Sequence, residues 1–142
     1  MAAHGLAVDA QYIQHVAGGT AEMGALGMQH LLELKLRPTA VMCFNDMIAV
    51  GVLKTCREAG IRVPQDLSVT GFDNITFSEY THPSLTTLDQ PKREIGREAA
   101  QLLLSLLSPD AEALPQTQQV KVLKGQLLVR ESTAAPTPLK EH

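Results

Sequence analysis

Along the first half of the chain the hydrophobic positions change period in a regular order. Residues 12–16 run Tyr-Ile-Gln-His-Val, an alternation that predicts a short strand. Gly18-Gly19-Thr20 makes a turn whose threonine can cap a helix. Met23, Gly27, Leu31 and Leu34 then recur at three- and four-residue steps, which predicts a helix over 21–35. Residues 40–44 are a continuous apolar run bounded by turn chemistry, the pattern of a strand buried on both faces. Asn45-Asp46 follows, with Asp46 the expected N-cap and Asn45 the turn residue. Ile48, Val52, Cys56 and Ala59 mark the inner face of a second helix that Gly60 stops. Residues 67–71 form a third apolar strand, ended by Gly71-Phe72-Asp73-Asn74.

Strand, helix, strand, helix, strand with short connections predicts right-handed crossovers and a parallel sheet, hence the α/β class. Ligands bind such sheets beyond the carboxyl ends of the strands. Gly18/Gly19, Asn45/Asp46 and Asp73/Asn74 all fall at those ends.

The second half has a different character. Residues 75–83 form a loop carrying Phe77 and Tyr80, and 85–88 are extended. Pro91 suits the first position of a helix whose apolar face is Ile95, Ala99, Leu102, Leu103 and Leu106. Ser108-Pro109-Asp110 ends it, and 110–118 form a polar loop. Two short strands are expected at 119–123 and 126–130, across Lys124-Gly125, and 134–142 reads as a frayed tail. At the other end, residues 1–4 before Gly5 resemble the last turn of a helix with its glycine stop. The expectation is a fragment of something longer.

Composition narrows the function. The chain has 142 residues, 44% hydrophobic and 19% charged, enough for one domain with a real core and incompatible with a disordered chain. No apolar run approaches the roughly 18–20 residues of a membrane helix, and no basic segment precedes an apolar stretch as in a secretion signal. A net charge of −3 lacks the basic excess of a protein that grips nucleic acid unaided. Cys43 and Cys56 lie in apolar surroundings without metal or redox spacing and read as reduced core thiols, which places the protein in the cytoplasm. Five histidines lack ligand spacing, so no metal and no cofactor is expected.

The candidate chemistry lies at the strand ends. Asn45 and Asp46 serve either as turn and cap or as polar groups that hold a ligand. Asp73 is either a turn aspartate or a carboxylate aimed at hydroxyl or amino groups of a ligand. The two aspartates also fit a divalent cation, but no lysine or threonine follows a strand where a phosphoryl-transfer site needs one. Phe77 and Tyr80 read as loop packing or, if exposed, as a partner surface. No phosphate-binding glycine loop and no nucleophile–histidine arrangement appears, so an enzyme is not expected.

Three blocks then carry a resemblance: RPTAVMCFNDMIAVG at 37–51, EAGIRVPQDLSVTGFDN at 58–74 and PSLTTLDQP at 83–91. Long, ordered and correctly spaced, they resemble the signature of LacI/GalR-type bacterial transcriptional regulators, over essentially the whole chain. The resemblance implies the C-terminal part of an effector-binding core with the periplasmic-binding-protein-like type I fold. It implies a C-terminal lobe at 1–84, a crossover strand and helix of the N-terminal lobe at 85–108, return strands at 109–133 and a tail at 134–142. By position, Asn45, Asp46 and Asp73 match ligand-contacting or hinge-adjacent residues, and Val50, Leu53, Phe77 and Tyr80 match the dimer interface. The implied partners are a small-molecule effector such as a sugar or nucleobase-like compound, a second copy of the chain, and DNA only through an N-terminal helix-turn-helix absent from this sequence. Many members carry an aromatic just before the Thr20 position; here that residue is Gly19. The alternative of a lobe of a periplasmic sugar- or solute-binding protein shares the fold.

Overall fold

The computed structural model describes residues 9–107 and 120–136. In chain order the described elements are α1 (Ala21–Leu32), β1 (Ala40–Met42), α2 (Asp46–Glu58), β2 (Ser68–Phe72), β3 (Thr86–Asp89), α3 (Lys92–Leu107) and β4 (Gln126–Leu128), with 3₁₀ turns at Ala10–Tyr12 and Thr76–Glu79. The strands form one sheet in the order β1-β2-β3-β4. The first three are parallel, and β4 runs antiparallel to β3. The α/β class and mostly parallel sheet are those expected from the alternation of elements.

Register gives the sheet two unlike faces. Met42 pairs with Thr70, Phe72 with Leu88 and Leu88 with Leu127, so these side chains share one side. Cys43, Val69 and Leu85 alternate onto the other side and are buried there with Met28 and Leu31 of α1 and Ile48, Ala49, Val52, Leu53 and Cys56 of α2. Fully burying a side chain such as Val69 or Leu85 stabilises by about 1.5–3 kcal/mol. The first face stays open: Met42 is 83% and Phe44 80% exposed. This corrects the expectation that 40–44 is buried on both faces. An apolar run matches a doubly covered strand, but α1 and α2 both pack on one side.

Close approach of two backbones joins α1 to α2. A Cβ at Gly24 would lie 2.1 Å from the Ile48 carbonyl oxygen, and one at Gly51 would lie 1.8 Å from that of Ala21. Two glycines facing each other's helices let the axes come together where any side chain would hold them apart. The inner face of α1 is Gly24, Gly27, Met28 and Leu31, one residue away from the expected stripe at Met23. The helix also ends at Leu32, short of Lys35.

Three further expectations are corrected. Residues 12–16 are not a strand: a 3₁₀ turn covers Ala10–Tyr12, and the stretch beyond it lacks a ladder partner among the described residues. The alternation there reflects Val16 packing against the core while Ile13 and His15 face outward. Residues 120–123 are described and are not a strand. Residue 134 is not frayed, since the Ala134 N–H donates to Ser68 Oγ at 3.1 Å. Residues 1–4, the loop at 110–118 and the end of the tail at 137–142 lie outside the described residues. The expected apolar face of α3 is real as a pattern, but none of its residues is buried.

The segment after β4 fastens the base of the sheet. Ser132 is fully buried; its hydroxyl donates to the Val69 carbonyl at 2.6 Å and accepts the Thr86 N–H at 2.8 Å. Its own carbonyl accepts the Val69 N–H. One side chain thus bridges β2 and β3 where the ladder alone would leave their polar groups unpaired.

Two stability predictions follow from this packing. Gly51→Ala should lose about 2–3 kcal/mol in a urea titration, by overpacking. Gly96→Ala, on α3 with open space around it, should gain about 0.5–1 kcal/mol. Burial pushes the Cys43 thiol up to about 12, helped by the nearby Cys56 and Asp46, and burial pushes Cys56 up to about 11. The folded state therefore keeps protons that the unfolded chain releases from about pH 9 upward. Stability from these thiols is complete below that pH and should fall as the pH rises toward 11–12. Iodoacetamide at pH 8.5 should label both cysteines in urea and neither in the native protein.

Candidate functional site

The carboxyl ends of β1 and β2 are built from three linked turns. Asn45 is the N-cap of α2, its Oδ1 accepting the Ile48 N–H at 2.8 Å. Its Nδ2 donates to the Gly19 carbonyl at 3.1 Å. One side chain thus ties the glycine turn before α1 to the start of α2. A Cβ at Gly19 would lie 2.5 Å from Asn45 Nδ2, so this contact accounts for glycine where the family resemblance leads one to expect an aromatic. Thr20 is the N-cap position of α1, but its side chain makes no capping bond; it serves Glu22 instead, whose carboxyl it holds below the usual range.

Asp46, the expected cap, is instead the first helical residue of α2, one place after the actual cap Asn45, and it is fully buried. Its Oδ2 accepts the Ile75 N–H at 2.8 Å and its Oδ1 accepts the Thr87 hydroxyl at 2.6 Å. A Cβ at Gly71 would lie 2.1 Å from Oδ1, so the glycine leaves the room that the carboxylate occupies. Both oxygens are engaged inside the protein, and the α2 N-terminus adds a favourable dipole.

Asp73 lies where β2 ends, half-buried. Its N–H donates to the Leu88 carbonyl at 3.0 Å, and its Oδ1 accepts Gln90 Nε2 at 2.5 Å. Oδ2 has no hydrogen-bond partner among the described residues. Asp73 and Asn74 both have positive φ, 109° and 49°. A non-glycine residue there costs on the order of 1–3 kcal/mol and persists only where the surroundings over-determine it. The surroundings do so: the Asn74 N–H donates to Thr87 Oγ1 at 3.3 Å, one bond from Asp46.

Arg130 completes the cluster, and sequence reading gave it no role. It follows β4, and its side chain is 14% exposed. Nη2 donates to Asn74 Oδ1 at 2.9 Å and to Glu79 Oε1 at 3.1 Å. Nη1 donates to the Leu85 carbonyl at 2.8 Å and to Ser78 Oγ at 3.2 Å. The signal in the sequence is an arginine that closes an apolar strand, which ranks low without its distant acceptors.

The structure links Asp46 through Thr87 to the turn at Asp73 and Asn74, and places Asn45 beside Asp46 at the start of α2. The other expected residues divide. Phe77 and Tyr80 are 55% and 74% exposed on the 3₁₀ turn, Val50 is half-buried and Leu53 belongs to the core. A groove of about 580 Å³ lies elsewhere, between α3 and residues 121–123, lined by Ile95, Glu98, Leu102 and Leu123. None of its lining comes from the strand ends.

A family profile described as a periplasmic binding protein-like domain matches residues 1–133. The chain is 42% identical over 135 residues to the HTH-type transcriptional repressor CytR of Escherichia coli K12, covering 92% of this chain and 37% of that protein. Among solved structures it is similar to the transcriptional regulator CelR in complex with cellobiose, at 30% identity and a TM-score of 0.79, covering 92% of this chain and 38% of that one. It is also similar to a LacI family transcriptional regulator from Enterococcus faecium with bound ribose, at 35% identity and a TM-score of 0.66, covering 85% and 42%. The chain spans about a third of the length of the curated relatives it matches.

Asp46→Ala should leave the Ile75 N–H and the Thr87 hydroxyl short of a partner in a buried site. The expected loss is about 2–3 kcal/mol, read as a lower denaturation midpoint.

Proposed function

Because the chain belongs to the periplasmic-binding-protein-like effector-binding domains of LacI/GalR-type transcriptional regulators, we propose that it senses a small hydroxylated effector and thereby controls operator binding allosterically. The observation that carries this reading is Asp73. Its carboxylate stands on a rigid turn at the carboxyl end of a parallel strand, with Oδ2 free of protein partners among the described residues. A carboxylate oxygen in that position suits sugar hydroxyls, which it can accept as charge-assisted hydrogen bonds. The relatives solved with cellobiose and with ribose support a sugar as the effector class.

In this reading Asp73 touches the effector, while Asn45 and Asp46 hold the rim of the site. Asn45 fixes the glycine turn to α2, and Asp46 fixes the backbone at Ile75. Residues 1–84 belong to the C-terminal lobe and 85–108 to a crossover toward an N-terminal lobe, with β4 (Gln126–Leu128) as the return strand. Closure of the two lobes on the effector shifts the equilibrium between states of different operator affinity. Two copies pair through the C-terminal lobe, with Phe77 and Tyr80 as exposed anchors, and with half-buried Val50 and core Leu53 on α2. DNA contact belongs to an N-terminal helix-turn-helix domain, and the protein works in the cytoplasm without catalysing a reaction. The relatives are named as transcriptional repressors and regulators, which favours this reading over a lobe of a periplasmic solute-binding protein.

In the full-length protein, Asp73→Asn should weaken ribose or cellobiose binding about tenfold or more in calorimetry, a loss of about 1.4 kcal/mol. Its melting temperature should stay close to that of the unaltered protein. Equal affinity in the two proteins would remove Asp73 from the site.

A further inference from the structure

We propose that Arg130 is a positioning residue that makes the effector turn at Asp73 and Asn74 and the aromatic turn at Phe77 and Tyr80 behave as one rigid unit. The proposal rests on the effector reading of Asp73 and adds a route from that residue to the exposed aromatic pair.

The geometry is specific. Asn74 Oδ1 accepts from Arg130 Nη2 at 2.9 Å and lies 3.4 Å from Ser78 Oγ. Ser78 Oγ donates to the Ile75 carbonyl at 2.7 Å and accepts from Arg130 Nη1 at 3.2 Å. Glu79 takes the outer edge of the same guanidinium at 3.1 Å. Arg130 therefore holds residues at both ends of the segment 74–79, and its backbone is held in turn, since its N–H donates to Thr86 Oγ1 at 2.9 Å. The anchor point is the sheet itself.

Only a planar, forked donor can do this. The four acceptors, at Asn74, Ser78, Glu79 and Leu85, are spread around two terminal nitrogens. A lysine brings one nitrogen and cannot reach them together. The second observation is conformational. Two consecutive non-glycine residues have positive φ at the point where the effector carboxylate is presented. Such a turn relaxes when its clamps are removed. Asp46 of α2 and Thr87 of β3 clamp it, and Arg130, just past β4, clamps it as well. Losing the β4 clamp frees the turn and the aromatic residues after it together, because Ser78 and Asn74 share that one partner.

The test uses the full-length protein and its Arg130→Lys variant, which keeps the charge and loses the fork. Amide hydrogen exchange is followed first without ligand. The expected result is roughly tenfold faster exchange across 74–80 as a block, with α2 unchanged. Faster exchange throughout the sheet, or no change at 74–80, would overturn the proposal.

The second arm adds saturating ribose and, separately, cellobiose as probes. In the unaltered protein the sugar should slow exchange at 73–75 and also at 77–80. In Arg130→Lys it should slow 73–75 alone. A residue that merely stabilises the loop would leave that spread intact, so equal spread in both proteins would also overturn the proposal. If neither sugar binds the unaltered protein, the sugar reading of Asp73 fails, while the first arm still decides the role of Arg130.

Discussion

A buried carboxylate must be given partners, and most of the site follows from where Asp46 finds them. Removing a carboxylate from water costs several kcal/mol unless hydrogen bonds replace the lost hydration. Asp46 obtains them from Thr87 on β3 and from the backbone at Ile75. Each partner lies on a different element. The carboxylate therefore fixes the height of α2 over the sheet and the point where the chain leaves β2. The absence of a side chain at Gly71 is part of the same arrangement, since a methyl group there would occupy the place of the carboxylate oxygen.

The strained turn at Asp73 and Asn74 depends on this constraint. Asp46 holds the residue after the turn, Thr87 holds the turn itself, and Arg130 holds the side chain of Asn74. A surface aspartate in a loose loop would lose conformational entropy on meeting a ligand. One mounted on a turn already held by its neighbours has less left to lose. The rigidity comes from residues that need not touch any ligand, which is why Asn45 and Asp46 are better understood as parts of the frame than as loose polar groups at a strand end.

Much of this was legible in the sequence. Apolar runs at β1 and β2, the helical stripe of α2 and the glycine stop at Gly60, with φ +71°, each follow from a local rule. The strand ends with polar pairs also stood out, because parallel topology turns them into one edge. Other features depend on distant partners. Residues 12–16 alternate as a strand does but have no ladder partner among the described residues, and 40–44 are apolar throughout while only one side is covered. The cap falls on Asn45, one position before the expected Asp46, a shift that short-range chemistry does not distinguish because both residues cap helices well. Arg130 stayed hidden for the same reason. Its acceptors are more than forty residues earlier, and no spacing rule links them.

The fastening at the base of the sheet bears on how the molecule is made. Ser132 pairs with Val69 and Thr86, Glu131 takes the N–H and hydroxyl of Ser84, and Ala134 meets Ser68. All these bonds join the last-described stretch to strands synthesised long before it. On a ribosome, β1, β2 and β3 emerge first and can assemble only with their lower edge unfinished. Contacts this far apart in sequence form slowly and late. The sheet therefore waits for its final residues, and its lower edge stays half-built during that interval.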